Sequence, residues 1–262
     1  MKIKEVLNAL EQFAPLPLQE DWDNAGLQIG LTEADVSGAL LCLDVNERIV
    51  DEAVKKGCNL IVSHHPLLFR GLKMISDSDQ VQRTVVKAIE NRVAVVSMHT
   101  NMDNAKGGVN FKMAEKLGLE NVRFFAPKTA GGVSGGSGVV GELPTEMAAD
   151  DFVIAVKKAF GVECAMCNEL LRRPIRRVAL CGGAGDFLLG QAIEEAKADA
   201  FVTGEMHYHV YFGHEQQIQI CVIGHYQSEQ YTSEIFKSII GEACPTLPVY
   251  TTETDTNPII YL

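Results

Sequence analysis

Residues 59–66, Asn-Leu-Ile-Val-Ser-His-His-Pro, constrain this chain most. An apolar run ends at Ser63 and two adjacent histidines, His64 and His65, and Pro66 then prevents simple continuation of a hydrogen-bonded ladder. The run reads as a buried strand. In open α/β sheets ligands bind beyond the carboxyl ends of the strands, so paired imidazoles at such an end are placed for a metal. Upstream, 36–45 reads as a strand ending near Asp44, and 46–56 as a helix stopped by Gly57. The strand–helix–strand spacing makes a βαβ unit with parallel strands.

The plan recurs along the chain. Ile3, Val6, Leu7, Leu10 and Phe13 form a helical stripe, followed by a turn at 21–27 that holds the only tryptophan, Trp22. A helix over 79–91 leads to a buried-type strand, 93–98, which ends at His99 with Asp103 close behind. Asn110 caps a helix reaching Leu117. The glycine-rich stretch 130–141 reads as a domain boundary or a mobile loop. No Lys-Ser/Thr follows its glycines, so it fits no phosphate-cradling fingerprint. Thr145 is expected to cap a helix over 146–160. Strands are expected at 177–182, 200–203 and 219–223, with helices at 187–198 and 226–240 and an edge strand at 249–252. Residues 39–43 resemble 178–182, and 60–63 resemble 200–203, which points to two related α/β units.

Four strand ends therefore carry polar groups: His64 with His65, His99 with Asp103, Glu205, and His225 with Glu229. His225 and Glu229 are four apart and share a helix face. Two metals roughly 3.5–4 Å apart form a recurrent hydrolytic arrangement, which needs about six protein ligands. His64, His65, His99, Asp103, His225 and Glu229 supply that number. Nitrogen and oxygen donors without thiolate suit zinc, iron, manganese, cobalt or nickel. His207, His209 and His214 add ligands, carry protons, or belong to a turn; the sequence leaves these open.

The balance of 23 basic against 34 acidic residues, a net charge of −11, argues against general affinity for nucleic acid or anionic membranes. Arg172, Arg173, Arg176 and Arg177 read as a solvated loop before a strand rather than a phosphate site. Cys164 and Cys167 form a lone CxxC, with no second pair to complete a structural zinc site. No apolar run reaches membrane length and the first residues show no apolar leader, so a soluble, cytoplasmic protein is expected.

Several blocks, in order, resemble the Nif-three-like family: Asp21-Trp-Asp-Asn-Ala-Gly-Leu-Gln, Ser63-His-His-Pro-Leu, His99-Thr-Asn-Met-Asp, Gly107-Gly-Val-Asn, Thr203-Gly-Glu-Met-His-Tyr-His and Gly224-His-Tyr-Gln-Ser-Glu. The resemblance covers nearly the whole chain. It implies two interlocked α/β domains with mixed, largely parallel sheets, here 1–128 plus 222–262 and 129–221. It implies two divalent metal ions on His64, His65, Asp103, His225 and Glu229, with His99 at or beside the site, and a homohexamer. Where relatives commonly have Asp, this chain has Glu205. The label often given to members, GTP cyclohydrolase I type two homologue, implies a metal-dependent hydrolase of a nucleotide or related small molecule, with His99, His209 or Glu205 relaying a proton. The alternative is a non-enzymatic metal-binding or interaction protein.

Overall fold

The computed structural model describes residues 1–260. In chain order its elements are α1 (Ile3–Phe13), β1 (Gly26–Ile29), β2 (Ala39–Cys42), α2 (Glu47–Lys55), β3 (Leu60–Ser63), α3 (Gln80–Glu90), β4 (Ala94–Ser97), α4 (Thr100–Asp103), α5 (Val109–Lys116), β5 (Glu120–Ala130) and β6 (Val133–Met147). They continue with α6 (Ala149–Phe160), β7 (Met166–Cys167), β8 (Ile175–Cys181), α7 (Leu189–Glu194), β9 (Ala200–Thr203), β10 (Gln219–Val222), α8 (His225–Glu229), α9 (Thr232–Ala243) and β11 (Val249–Thr251). The chain forms two units, Met1–Met102 with Thr232–Leu262, and Asp103–Tyr231.

The first unit holds a five-stranded sheet in the order β1-β4-β3-β2-β11, parallel except for the antiparallel edge strand β1. Every residue of β2, β3 and β4 is buried, as parallel strands covered on both faces require. Leu40, Ile61 and Val95 pack with Ile49, Val50 and Ala53 of α2 and Val85 and Ala88 of α3. Both helices start on side-chain caps. The Asn46 Oδ1 accepts from the backbone N–H groups of Arg48 and Ile49 at 3.0 and 3.1 Å, and the Asp79 Oδ1 accepts from Gln82 at 2.9 Å. The late helix α9 packs with α1 and against β2 and β11.

In the second unit the order is β5-β6-β8-β9-β10-β7, with β8, β9 and β10 parallel and the other pairs antiparallel. Alternate residues serve two cores. Val178, Val202 and Cys221 face Met113, Phe152 and Phe160; Ala179, Phe201 and Ile220 face Leu188, Leu189 and Ala192. The internal similarity has a structural counterpart. Ala39 pairs with Leu60 and Cys42 with Ser63 in one unit; Val178 pairs with Ala200 and Cys181 with Thr203 in the other.

Several expectations are corrected. Residues 130–141 are not a loop: β5 and β6 run through them as a long antiparallel hairpin. Their glycines serve close packing, since a Cβ on Gly136 would lie 2.7 Å from the Ala126 carbonyl oxygen and one on Gly138, at φ +65°, would lie 2.5 Å from the Phe125 ring. Thr145 lies in β6, and α6 begins only at Ala149. The helix expected at 187–198 is a 3-10 turn, Asp186–Leu188, followed by the short α7. The one expected at 226–240 is two helices, α8 and α9. The unit divisions at Met102/Asp103 and Tyr231/Thr232 differ from the 128/129 and 221/222 boundaries read from the sequence. The reason is local: Met113, Ala114 and Leu119 belong to the same core as Phe152, Phe160 and Val178.

The arginine cluster is neutralised by carboxylates. Arg172 meets Glu169, Arg177 meets Glu142, and Arg173 meets Asp199. Asp199 also accepts the backbone N–H groups of Arg176 and Arg177 at 3.0 and 2.9 Å. Burial opposes its charge, but these bonds and the Arg173 guanidinium hold its carboxyl below the usual range. A lowered folded value means stability that is present above the ordinary carboxylate range and lost as pH falls through the folded value. Asp199→Ala should therefore cost about 2 kcal/mol at neutral pH, with the deficit shrinking in acid; thermal unfolding of both proteins across pH checks this.

Candidate metal centre

The site is built first by register. Pairing of β3 with β4 sets Ser63 opposite Ser97, and both are fully buried. Their hydroxyls lie 2.8 Å apart, and that of Ser63 donates to the His65 carbonyl at 2.9 Å. The carboxyl ends of these two strands thereby deliver His64, His65 and His99 to one place. The ring centroids are 5.0 to 5.5 Å apart. One ligand atom from each of the three lies within 4.8 Å of the others.

Each ring is held by its Nδ1. His64, fully buried, has Nδ1 2.9 Å from the Met98 carbonyl oxygen. A carbonyl only accepts, so Nδ1 carries the hydrogen and the lone pair is on Nε2. The His65 Nδ1 lies 2.7 Å from Asp44 Oδ1, and the His99 Nδ1 2.8 Å from Asp23 Oδ1. Asp23 also accepts from the Thr100 backbone N–H at 3.0 Å and from its hydroxyl. Burial disfavours the charged form of Asp23, but the bonds from His99 and Thr100 outweigh it and bring the carboxyl to about 2. An imidazole whose Nδ1–H donates to a carboxylate or carbonyl is the arrangement found around metal-ligating histidines. Three such rings fit a divalent cation on this chemical ground.

The second unit carries its own donor group. At the start of α8, His225 Nε2 lies 3.1 Å from Glu229 Oε2, and His225 Nδ1 3.1 Å from Glu205 Oε1. Glu229 is buried. The helix approaches the ends of β8 and β9 because glycines leave room. A Cβ on Gly183, at φ +59°, would meet Glu229 Oε1 at 2.4 Å, and one on Gly204 would meet the Ser228 hydroxyl at 2.7 Å. Ser228 accepts the Gly183 N–H at 3.0 Å and donates to the His225 carbonyl at 2.7 Å. Asp103 ends α4, and its carbonyl accepts from Asn110 at 3.1 Å.

The remaining histidines stand apart in kind. His209 is exposed on a 3-10 turn, Tyr208–Tyr211, against the rings of Tyr208 and Phe212. His207 is exposed and pairs with Asp186 at 2.5 Å, and His214 meets Gln217 at 2.9 Å. Sequence reasoning missed the anchoring roles of Asp23 and Asp44. Asp23 was visible only as part of a turn, and Asp44 only as a strand end.

The sequence matches the family described as Duf34/NIF3 (NGG1p interacting factor 3) over residues 1–258. The chain belongs to the DUF34/NIF3 family. It is 34% identical to a GTP cyclohydrolase 1 type 2 homolog of Clostridium perfringens over 87% of each chain. It is 30% identical to NIF3-like protein 1 of Drosophila melanogaster over 99% of this chain and 89% of that one. Among solved structures, a Bacillus cereus protein related to NIF3 superposes with a TM-score of 0.89 at 25% identity, covering 100% of this chain and 99% of that one. A Staphylococcus aureus hypothetical protein gives 0.91 at 26%, with the same coverage. The mixed α/β architecture with two mixed sheets is thus that of NIF3 proteins.

Two outcomes follow from this geometry. Nitrogen-15 correlation spectra of the imidazoles should show His64 as the Nδ1–H tautomer; an Nε2–H signal would contradict the anchoring by Met98. Gly183→Ala should lower stability by about 1–2 kcal/mol from backbone conformation alone, with a further loss from displacing Glu229, read as a fall in melting temperature.

Proposed function

We propose that this NIF3 protein binds two divalent metal ions and is a metal-dependent hydrolase of a nucleotide or related small molecule. The observation that carries the reading is the set of three imidazoles, His64, His65 and His99, each anchored through Nδ1. In this reading His64, His65, Asp103, His225 and Glu229 hold the ions. The chemistry such ions supply when bound is activation of water at neutral pH and polarisation of a substrate oxygen. Glu205 orients His225 through Nδ1, and His99, backed by Asp23, moves the proton. His209 is a second proton carrier in the reading, and His209→Ala should leave metal content unchanged. The name shared by the bacterial relatives makes a purine nucleotide the first substrate to screen.

Assembly as a homohexamer and a cytoplasmic location belong to the same reading. The seven free cysteines suit a reducing compartment, and among the described residues no helix is long and apolar enough to cross a membrane. A second reading, a non-enzymatic metal-binding or interaction protein, is favoured by the family description, which names an interaction. Loss of melting temperature on chelation, without turnover of any nucleotide tested, would select it.

The decisive experiment is metal content per chain by plasma mass spectrometry on untagged protein, for wild type, His65→Ala and Glu229→Ala. About two equivalents are expected in wild type, with a fall in each variant. Equal metal content in all three, or none after reconstitution, would overturn the proposal. Asp44→Asn should weaken metal affinity by roughly 10- to 100-fold through loss of His65 orientation, measured by competition with a chromophoric chelator.

A further inference from the structure

Beside the imidazole cluster stand two aromatic rings that face solvent. Trp22, the only tryptophan of the chain, is 59% exposed and Phe69 is 45% exposed. Their centroids are 5.8 Å apart with the planes tilted by 54°. Both meet His99 edge-on, Trp22 at 6.0 Å and Phe69 at 6.3 Å. Large exposed aromatics are costly in water, and loops that hold them in a fixed position are commonly recognition surfaces.

These two loops are fixed. The Asn24 side-chain amide donates to the Leu68 carbonyl at 2.6 Å, and Gln28 Oε1 accepts the Leu68 N–H at 3.1 Å. The Gln28 amide also donates to the Asn24 carbonyl at 2.6 Å. Next to Trp22, the Asp23 carboxylate is bound by His99 and Thr100, and the Thr100 hydroxyl accepts the Glu20 N–H at 2.8 Å. The turn carrying Trp22 and the loop carrying Phe69 are thus tied to each other and to the helix start behind His99. The rings are exposed but preorganised, which is the condition for binding a flat ligand without an ordering cost.

We propose that Trp22 and Phe69 form a stacking rim that binds the planar heteroaromatic ring of the substrate, a nucleobase or close equivalent, and presents its substituents to the imidazoles. The proposal rests on the metal-site reading above and names the residues that would bind the substrate ring at that site. Because the rings are tilted and close, the ligand ring covers a face of the rim rather than entering between them. Base–aromatic stacking tolerates any base with a π-face, so the rim selects for a ring and leaves the choice of base to other contacts.

Trp22 reports on itself. Wild-type protein, metal-free and metal-loaded, is titrated with guanosine 5′-monophosphate and separately with ribose 5-phosphate while tryptophan emission is followed. Saturable quenching by the nucleotide and none by the sugar phosphate is expected. By calorimetry, Trp22→Ala and Phe69→Ala should each weaken nucleotide binding by about 5- to 100-fold, and Trp22→Phe should restore most of it. Quenching by neither compound or by both alike would overturn the proposal. So would an emission change on diluting the protein alone, which would mean that a second copy covers the rim. Metal bound without quenching defeats the rim and leaves the metal reading standing; quenching by protein that takes up no metal on reconstitution defeats the metal reading and leaves the rim.

Discussion

The pairing of Ser63 with Ser97 across β3 and β4 is the constraint from which the site follows. Both hydroxyls are buried and satisfy each other and the His65 carbonyl. A slip of one residue in this register would turn every side chain of the strand to the opposite face. It would bury polar groups in the apolar layers on either side and carry the histidines away from one another. The core around Leu40, Ile61 and Val95 and the donor cluster are therefore two consequences of one alignment.

Beyond the strand ends, the imidazoles owe their usefulness to what lies behind them. Asp44, Asp23 and the Met98 carbonyl each accept a hydrogen bond from an Nδ1–H, and so fix both the tautomer and the plane of a ring. Asp23 also accepts the backbone N–H of Thr100, far along the chain, so the same carboxylate ties its own turn to the helix start behind His99 and aims the ring. In the second unit, Gly183 and Gly204 do comparable work by absence. Without a Cβ they let α8 settle against the strand ends, where Ser228 links helix to turn.

Much of this was legible in the sequence. Buried parallel strands announce themselves as continuous apolar runs, and polar groups just past Val62, Ser97 and Val222 mark the ends where donors collect. His225 and Glu229 follow from helical spacing alone. What the sequence concealed has physical reasons. Glycines in 130–141 suggest a loop because glycine disfavours strands, yet here they admit Phe124 and Phe125 against the β6 backbone. The division at Asp103 was hidden because α5 carries its apolar residues to a core assembled from strands far along the chain. The anchors Asp23 and Asp44 lie 76 and 21 residues from the rings they hold, and no periodicity connects such pairs.

The central claim is that the imidazoles of a NIF3 protein are turned to hold metal through Nε2. Anomalous diffraction from crystals of the zinc-loaded protein tests it most directly. Anomalous peaks about 2.0–2.1 Å from the Nε2 atoms of His64 and His65 are predicted, with the Nδ1 contacts to Met98 and Asp44 intact. Peaks on the Nδ1 side, or rings rotated away from Met98 and Asp44, would contradict it.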